Sequence, residues 1–331
     1  MTRSLFARVL AALALLGLAA AASAADYTMR ISHQYPPTHQ VARALDQFAA
    51  DVKAATGGRV EVQVFGAEQL FKANQNHAAV ARGQVEAAAI LNFQWGGTIP
   101  EMNAMSIPFL MTHAAQLKKF PGSEAAKLLE AKMEEKGVKP IAWMVDANDG
   151  IFTSAKPPAL ARPADFKGVK IRGLNKLFDS GLAALGANPV SMPGSEVYQA
   201  LQSGVIDAGF TGVDAAYSRR FYEVQKYGAA SEIITAYSNL VVNPAWWGKL
   251  PDDLRQAVQG AAHKAEAALL PTGDGIPAAS IQRLRDKGMT VVVLDKTQEK
   301  ALADAMQPAV LEAFRASSPD AAKLIELIRK L

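Results

Sequence analysis

The sequence predicts an α/β protein of two lobes. Strand-like and helix-like segments alternate along the chain, the pattern of α/β architecture. They fall into two sets that segments near 142–152 and 234–243 join. The length, 331 residues, suits two domains at roughly 100–200 residues each.

The first set begins with a strand over 29–34, stopped by Pro36-Pro37. Val41, Leu45, Phe48 and Val52 then recur with helical spacing, which places one apolar stripe on a helix that ends at Gly57-Gly58. Residues 60–65 alternate like a half-buried strand. A helix over 73–82 stops at Gly83, and the apolar run 87–91 reads as a buried parallel strand. Ser123 to Lys136 is a charged amphipathic helix closed by Gly137. The second set holds strands at 170–172, 205–211, 238–242 and 291–294. Its helices cover 174–185, 196–203 and 252–269, and 298–330 is largely helical. Two lobes closing on a cleft, with hinges at element ends, fit such crossings.

Composition narrows the function. There is no Cys, so disulfides, thiolate metal sites and a cysteine nucleophile are excluded. The first residues carry Arg3 and Arg8, then an apolar run from Val9 to Ala22 and the small-x-small site Ala22-Ser23-Ala24. Residues 1–25 therefore read as a secretory signal peptide, too short in its apolar run to span a bilayer. Without those two Arg, the formal charge of +4 falls to +2. No block is strongly basic, so nucleic acid is not an expected partner.

Catalytic patterns fail. No phosphate loop, His-Glu-x-x-His or Gly-x-Ser-x-Gly is present. Gly273-Asp274-Gly275-Ile276-Pro277-Ala278 follows a helix and contains Pro277, so it is a loop and not a dinucleotide fingerprint. The five histidines (His33, His39, His77, His113, His263) show no ligand spacing and read as surface or capping residues. No metal or cofactor is expected. Trp246-Trp247 read as packing for a helix start. Phe93 and Trp95 follow the buried run 87–91, and loops at the carboxyl ends of parallel strands are where α/β sheets bind ligands.

One long stretch carries a signature. It runs Asp165-Phe166-Lys167-Gly168-Val169-Lys170-Ile171-Arg172, then Leu185-Gly186-Ala187-Asn188-Pro189-Val190-Ser191-Met192, then Ser195-Glu196-Val197-Tyr198-Gln199-Ala200-Leu201-Gln202-Ser203-Gly204-Val205-Ile206-Asp207. Shorter matches include Thr56-Gly57-Gly58-Arg59-Val60, Ser106-Ile107-Pro108-Phe109-Leu110 and Phe221-Tyr222-Glu223-Val224-Gln225-Lys226-Tyr227. This resembles the substrate-binding proteins of tripartite ATP-independent periplasmic (TRAP) transporters, the DctP-like family, over essentially all of 26–331.

The resemblance implies a periplasmic-binding-protein-like fold with a ligand cleft between lobes and long C-terminal helices. Lobe I would hold 26–148 and about 237–276, and lobe II 149–236 and about 277–331. The implied protein is a monomeric periplasmic receptor for a small organic acid. It serves a membrane permease driven by an ion gradient and catalyses nothing. A receptor feeding a sensor kinase keeps the same fold, and a periplasmic enzyme acting on carboxylates is the alternative from another class. The resemblance assigns Arg172 to the ligand carboxylate, a role that a guanidinium's two parallel donors suit.

The sequence departs from the family pattern. A second Arg common in the family falls on Phe152, with Lys156 as a nearby substitute. The family's Glu and Asn fall on Phe210 and Thr211, and its first-strand Asn on Gln34. Gln34, Asn92 and Thr211 are the expected hydrogen-bonding residues; Phe93, Trp95, Phe152 and Phe210 are the expected apolar walls. Tyr237, on the second joining segment, completes the set. Asp207 is expected to organise a loop. A second ligand carboxylate would lack its partner, and an unpaired buried carboxylate is costly. The expected ligand is therefore a monocarboxylate, such as a 2-oxo, 2-hydroxy or aromatic acid, with a C4-dicarboxylate or sugar acid as the alternative.

Overall fold

The computed structural model describes residues 25–331. The signal-peptide assignment therefore lies, apart from Ala25, outside the described residues.

The chain first lays down β1 (Tyr27–Ser32), β2 (Val60–Phe65), β3 (Ala87–Leu91) and β4 (Lys139–Ala147). It then builds β5 (Gly150–Ser154), β6 (Lys170–Gly173), β7 (Asn188–Ser191), β8 (Ala208–Thr211) and β9 (Tyr227–Ser231). It returns as β10 (Ala236–Val242) and adds β11 (Thr290–Val293). One sheet has the order β2-β1-β3-β10-β4 and the other β11-β9-β5-β8-β6-β7. Each sheet centres one lobe. Strands β4 to β5 and β9 to β10 carry the chain across, so both joining segments are strand ends and not free linkers.

Local signals explain the main helices. In α1 (Gln40–Ala55), Val41, Leu45, Phe48 and Val52 are all buried. His39 caps its start by accepting from the Val41 N–H, and Gly57 and Gly58 end it at φ 60° and 82°. Ser123 caps α2 (Glu124–Glu135) in the same way. Asn175 caps α3 (Lys176–Ala184), and α4 (Val213–Ser218) starts directly after β8. The stripe of α5 (Asp252–Leu269) packs Leu254, Val258 and Ala262 with Phe48 against one face of the first sheet. Tyr237 and Val241 of β10 point to the opposite face, while Leu240 and Val242 point to α5, the alternation a strand imposes.

The second sheet is covered likewise. Phe152 and Phe210 meet Phe178 of α3 on one face, and α6 (Ala278–Asp286) places Ile281 and Leu284 on the other. Side chains of this size each stabilise by about 1.5–3 kcal/mol when fully buried.

The expected boundary fails at the C-terminus. Residues 277–331 were assigned to the second lobe, but α7 (Lys296–Arg315) serves both. Leu302 and Met306 join the second lobe's cluster, while Val310 and Phe314 join the first lobe's, with Pro308 between them. In α8 (Ala321–Arg329), Leu324, Ile325 and Ile328 pack with Phe120 and Leu129 of the first lobe. The apolar stripe decides this placement, because the first lobe's face near α2 is the one left to cover. The strand expected from Val205 begins only at Ala208: Gly204 turns at φ 71° and Val205 is exposed.

Candidate functional site

A cavity of about 30 Å3 lies between the lobes. The first lobe contributes Tyr35, Leu91, Phe93 and Asp146, and the second contributes Arg172, Leu174, Thr211 and Arg219. Ala147, Ile234 and Ala236, from the two segments that cross between the lobes, also line it. That space suits a water molecule or two, so a larger guest requires the lobes to part. Contacts between the lobes hold the closed arrangement. Asn175 Nδ2 donates to Ser106 Oγ at 2.9 Å, and Ser195 Oγ donates to Glu68 Oε1 at 2.9 Å.

Arg172 sits near the carboxyl end of β6, whose neighbours β7 and β8 run parallel to it. Ile171 faces the core, so Arg172 points to the other side. Its Nη1 donates to the Phe210 carbonyl at 2.7 Å. Its Nε and Nη2 donate to the Met192 carbonyl at 3.2 and 3.1 Å. Three of the five guanidinium donors are thereby used, leaving one N–H on each terminal nitrogen. Burial, then the nearby Arg219 charge, pushes its pKa down to about 9, against a smaller pull from Asp179. A buried cation held only by neutral carbonyls is poised for an anion.

Arg219 follows α4 as its C-terminal cap. The residue is partly exposed overall, yet its Nε is fully buried without a hydrogen-bond partner. Burial pushes its pKa down, opposed by Asp146 and Tyr35. A Cβ on Gly194 would lie 2.7 Å from its Nη1, so only glycine leaves the guanidinium its place.

Asp146 faces it from the end of β4. Its Oδ2 accepts from the Tyr35 hydroxyl at 2.6 Å, and Oδ1 lies 3.7 Å from His39 Nε2. The Tyr35 and His39 rings stack at 4.4 Å. Because His39 Nδ1 accepts from Val41, its proton sits on Nε2, toward Asp146. Burial pushes Asp146 up to about 6, with the Tyr35 hydrogen bond and Arg219 pulling it down. Beyond it, Asp149 accepts from the Val213 N–H at 2.7 Å, and burial pushes it up to about 7. No grouping of metal-ligating side chains able to hold an ion occurs among the described residues.

The structure brings Arg172, Phe93 and Thr211 together at the cavity and leaves the other expected residues outside it. Phe152 and Phe210 lie behind the wall, packed on each other at 4.6 Å, with Phe178 stacked on Phe210 at 4.7 Å. They belong to the core because both point to the face of the sheet that α3 covers. Trp95 is wholly buried beside Ile90 and Ile99, with His77 at 5.4 Å. Tyr237 stacks on Phe120 at 5.0 Å, inside the first lobe's core. Asn92 spends its Oδ1 on the Tyr237 N–H at 2.9 Å and acts as a strut. Gln34 is buried with Oε1 unpaired, but it does not line the cavity. Lys156 is exposed on a separate groove beyond Ser154, the far end of β5. Asp207 accepts from the Lys170 N–H at 3.1 Å, tying the residue before β8 to the start of β6. His33 and His39 are buried and not on the surface, and His39 does cap a helix.

Sequence reasoning missed Tyr35, Asp146 and Arg219. Arg219-Arg220 reads as a solvated helix end, and Arg220 is one: it turns at φ 62° and pairs with Glu223. The usable signal was Gly194, which stands in the turn Pro193–Glu196 without a left-handed φ that would require glycine.

Two α/β lobes around a cavity lined by two arginines define a solute-binding protein architecture. The chain belongs to the bacterial extracellular solute-binding proteins of family 7 (DctP), whose family model matches residues 31–317. It is 30% identical over 297 residues to the C4-dicarboxylate-binding periplasmic protein DctP of Rhodobacter capsulatus, covering 88% of this chain and 87% of that one. It is 28% identical over 323 residues to the 2,3-diketo-L-gulonate-binding periplasmic protein YiaO of Escherichia coli, covering 96% of each. A TRAP periplasmic solute-binding protein from Desulfovibrio salexigens, solved with orotic acid, superposes with a TM-score of 0.85 at 28% identity, over 92% of this chain and 98% of that one. The described residues contain no helix long and apolar enough to cross a membrane.

Proposed function

We propose that this protein is the periplasmic receptor of a TRAP transporter. It closes over a small organic acid, holds the carboxylate on Arg172, and hands the ligand to the membrane permease without chemical change. The observation that carries this is the Arg172 guanidinium, buried between the lobes with one unused N–H on each terminal nitrogen. That is the donor pair a planar carboxylate accepts. Thr211 stands beside it as a hydrogen-bonding wall and Phe93 as an apolar one. The relatives named above bind organic acids of differing size, which agrees with this assignment.

The ligand we favour carries one carboxylate. The first ground for this, a missing second cation, does not hold, because Arg219 lines the cavity. The charged side chains that line the cavity supply another: Asp146 offsets one of the two arginines there, and a single carboxylate neutralises the other. A C4-dicarboxylate is the second candidate, and Arg219 as a second cation is the observation in its favour.

A thermal-shift screen of organic acids tests the function. A ligand at ~100 times its Kd stabilises by about 2.7 kcal/mol, which a melting curve resolves. Each hit is then titrated into Arg172→Ala by calorimetry. Loss of binding is expected, and unchanged affinity refutes the carboxylate assignment.

A further inference from the structure

We propose that Arg219 and Asp146 form a second recognition pole that takes a hydroxyl group of the ligand, making the preferred ligand a hydroxylated monocarboxylic acid. This rests on Arg172 holding the carboxylate.

The two poles share one cavity and come from opposite lobes. Arg219 belongs to the second lobe, and its buried Nε has no partner. Asp146 belongs to the first, fixed from behind by the Tyr35 hydroxyl at 2.6 Å and by Gln40 on its backbone carbonyl. One carboxylate offers about four lone-pair sites, so Asp146 can still accept. A donor-only group and an acceptor-only group therefore face the same small space. A hydroxyl satisfies both, donating to Asp146 and accepting from Arg219.

The alternatives leave a group unsatisfied. An alkyl or aromatic tail would leave the buried Arg219 Nε without a partner, and a site built for a polar group rejects an analogue lacking it by a large factor. A second carboxylate could pair with Arg219 but would face the Asp146 charge. Leu91, Phe93, Leu174 and Ile234 wall the remainder, so only this end of the cavity asks for a polar substituent.

The contact also couples binding to closure. Because Asp146 and Arg219 sit on different lobes, the shared hydroxyl is gripped only when the lobes meet.

The test is calorimetry at pH 7.5 on the mature chain with matched acids: lactate against propionate, gluconate against hexanoate, and malate against succinate. The wild type is expected to bind a hydroxylated monocarboxylate at least ~30-fold more tightly than its deoxy partner. It is also expected to prefer that acid to either dicarboxylate. Arg219→Gln and Asp146→Asn should each shrink the hydroxyl preference to below ~5-fold, and Asp146→Asn should gain affinity for succinate. Arg172→Met should lose every acid. Equal binding of hydroxylated and deoxy partners overturns the proposal, as does a wild-type preference for succinate or a preference that both variants keep. If no probe binds the wild type, the carboxylate reading itself fails. If acids bind through Arg172 without regard to hydroxyls, only the second pole fails. The wild-type comparison needs no variant, so a misfolded substitution does not rescue the idea.

Discussion

Ser195 Oγ reaches across the mouth of the cleft to Glu68 Oε1 at 2.9 Å. Glu68 is held in place for this. It stands at φ 63°, its Oε1 also accepts from the Ala73 N–H at 2.9 Å, and its Oε2 lies 3.2 Å from Lys72 Nζ. The Ser195 side chain has no other hydrogen bond among the described residues. Ser195→Ala should weaken ligand binding by about 1 kcal/mol, or roughly fivefold. The change should appear in the dissociation rate, because the latch forms only in the closed state. Stopped-flow fluorescence on the native tryptophans measures it, and an unaltered dissociation rate would remove the latch from the mechanism.

Arg172 predicts an opposition between stability and function. Its pKa is pushed down to about 9 by burial, so the folded state disfavours the charge that the unfolded chain carries freely. For a base with a lowered folded pKa, this cost is fully present at neutral pH and is relieved only as pH rises through 9. Arg172→Met keeps the packing volume and removes the buried charge. The ligand-free variant should melt at or above the wild-type temperature at pH 7.5 while no longer responding to any acid. A lower melting point would mean that the bonds to Met192 and Phe210 outweigh the desolvation cost.

Asp149 is the group whose titration should show in stability. Burial pushes it up to about 7 and Asp146 up to about 6. Unfolded aspartates titrate near ~3.9, so between these limits the folded chain holds more protons there, and this contribution to stability falls as pH rises. His33, pushed down by burial to about 4, and His39, also lowered, work in the other direction. They bind protons in the unfolded chain below ~6.5, and their contribution falls as pH drops. The two sets act in opposite directions. Asp149→Asn keeps an acceptor for Val213 and deletes one acid. It should melt higher than the wild type at pH 7.5, with the gain shrinking on acidification and gone by about pH 4. A gain independent of pH would contradict the assignment.

Much of the fold was legible because its helices are amphipathic and capped. The stripe of α1, the Ser123 cap and the glycines at 57, 83 and 137 all act locally, so the sequence shows them directly. Strands β4, β5 and β9 were not recognised. Buried on nearly every residue, they lack the alternation that marks a strand with one wet face. Of the expected site residues, Arg172, Phe93 and Thr211 line the cavity: Arg172 lies in the family-like stretch, Phe93 follows β3, and Thr211 stands at a departure from the family pattern. Phe152 and Phe210 lie outside the cavity for a physical reason: sequence position does not say which face of β5 or β8 looks at the cleft, and a one-residue change in phase sends both to the core. Asp146 and Arg219 meet across 73 positions of sequence, from Asp146 to Arg219, and no local pattern announces such a pairing.

Gly194 gives the sharpest check on Arg219. The backbone there needs no glycine for its own conformation, since its φ is not in the left-handed region. What requires glycine is the guanidinium, with Nη1, Cζ and Nη2 of Arg219 at 2.7, 2.8 and 3.0 Å from the position a Cβ would take. Gly194→Ala should therefore push Arg219 off its place while leaving the fold intact, as the side chain is flexible and has space toward the cavity. The melting temperature should change little, whereas affinity for the ligand should fall by roughly tenfold, about 1.4 kcal/mol. Combining it with Arg219→Gln should add almost nothing further, because both act through the same contact. Additive losses in that double-mutant cycle would show that Gly194 serves the site by another route.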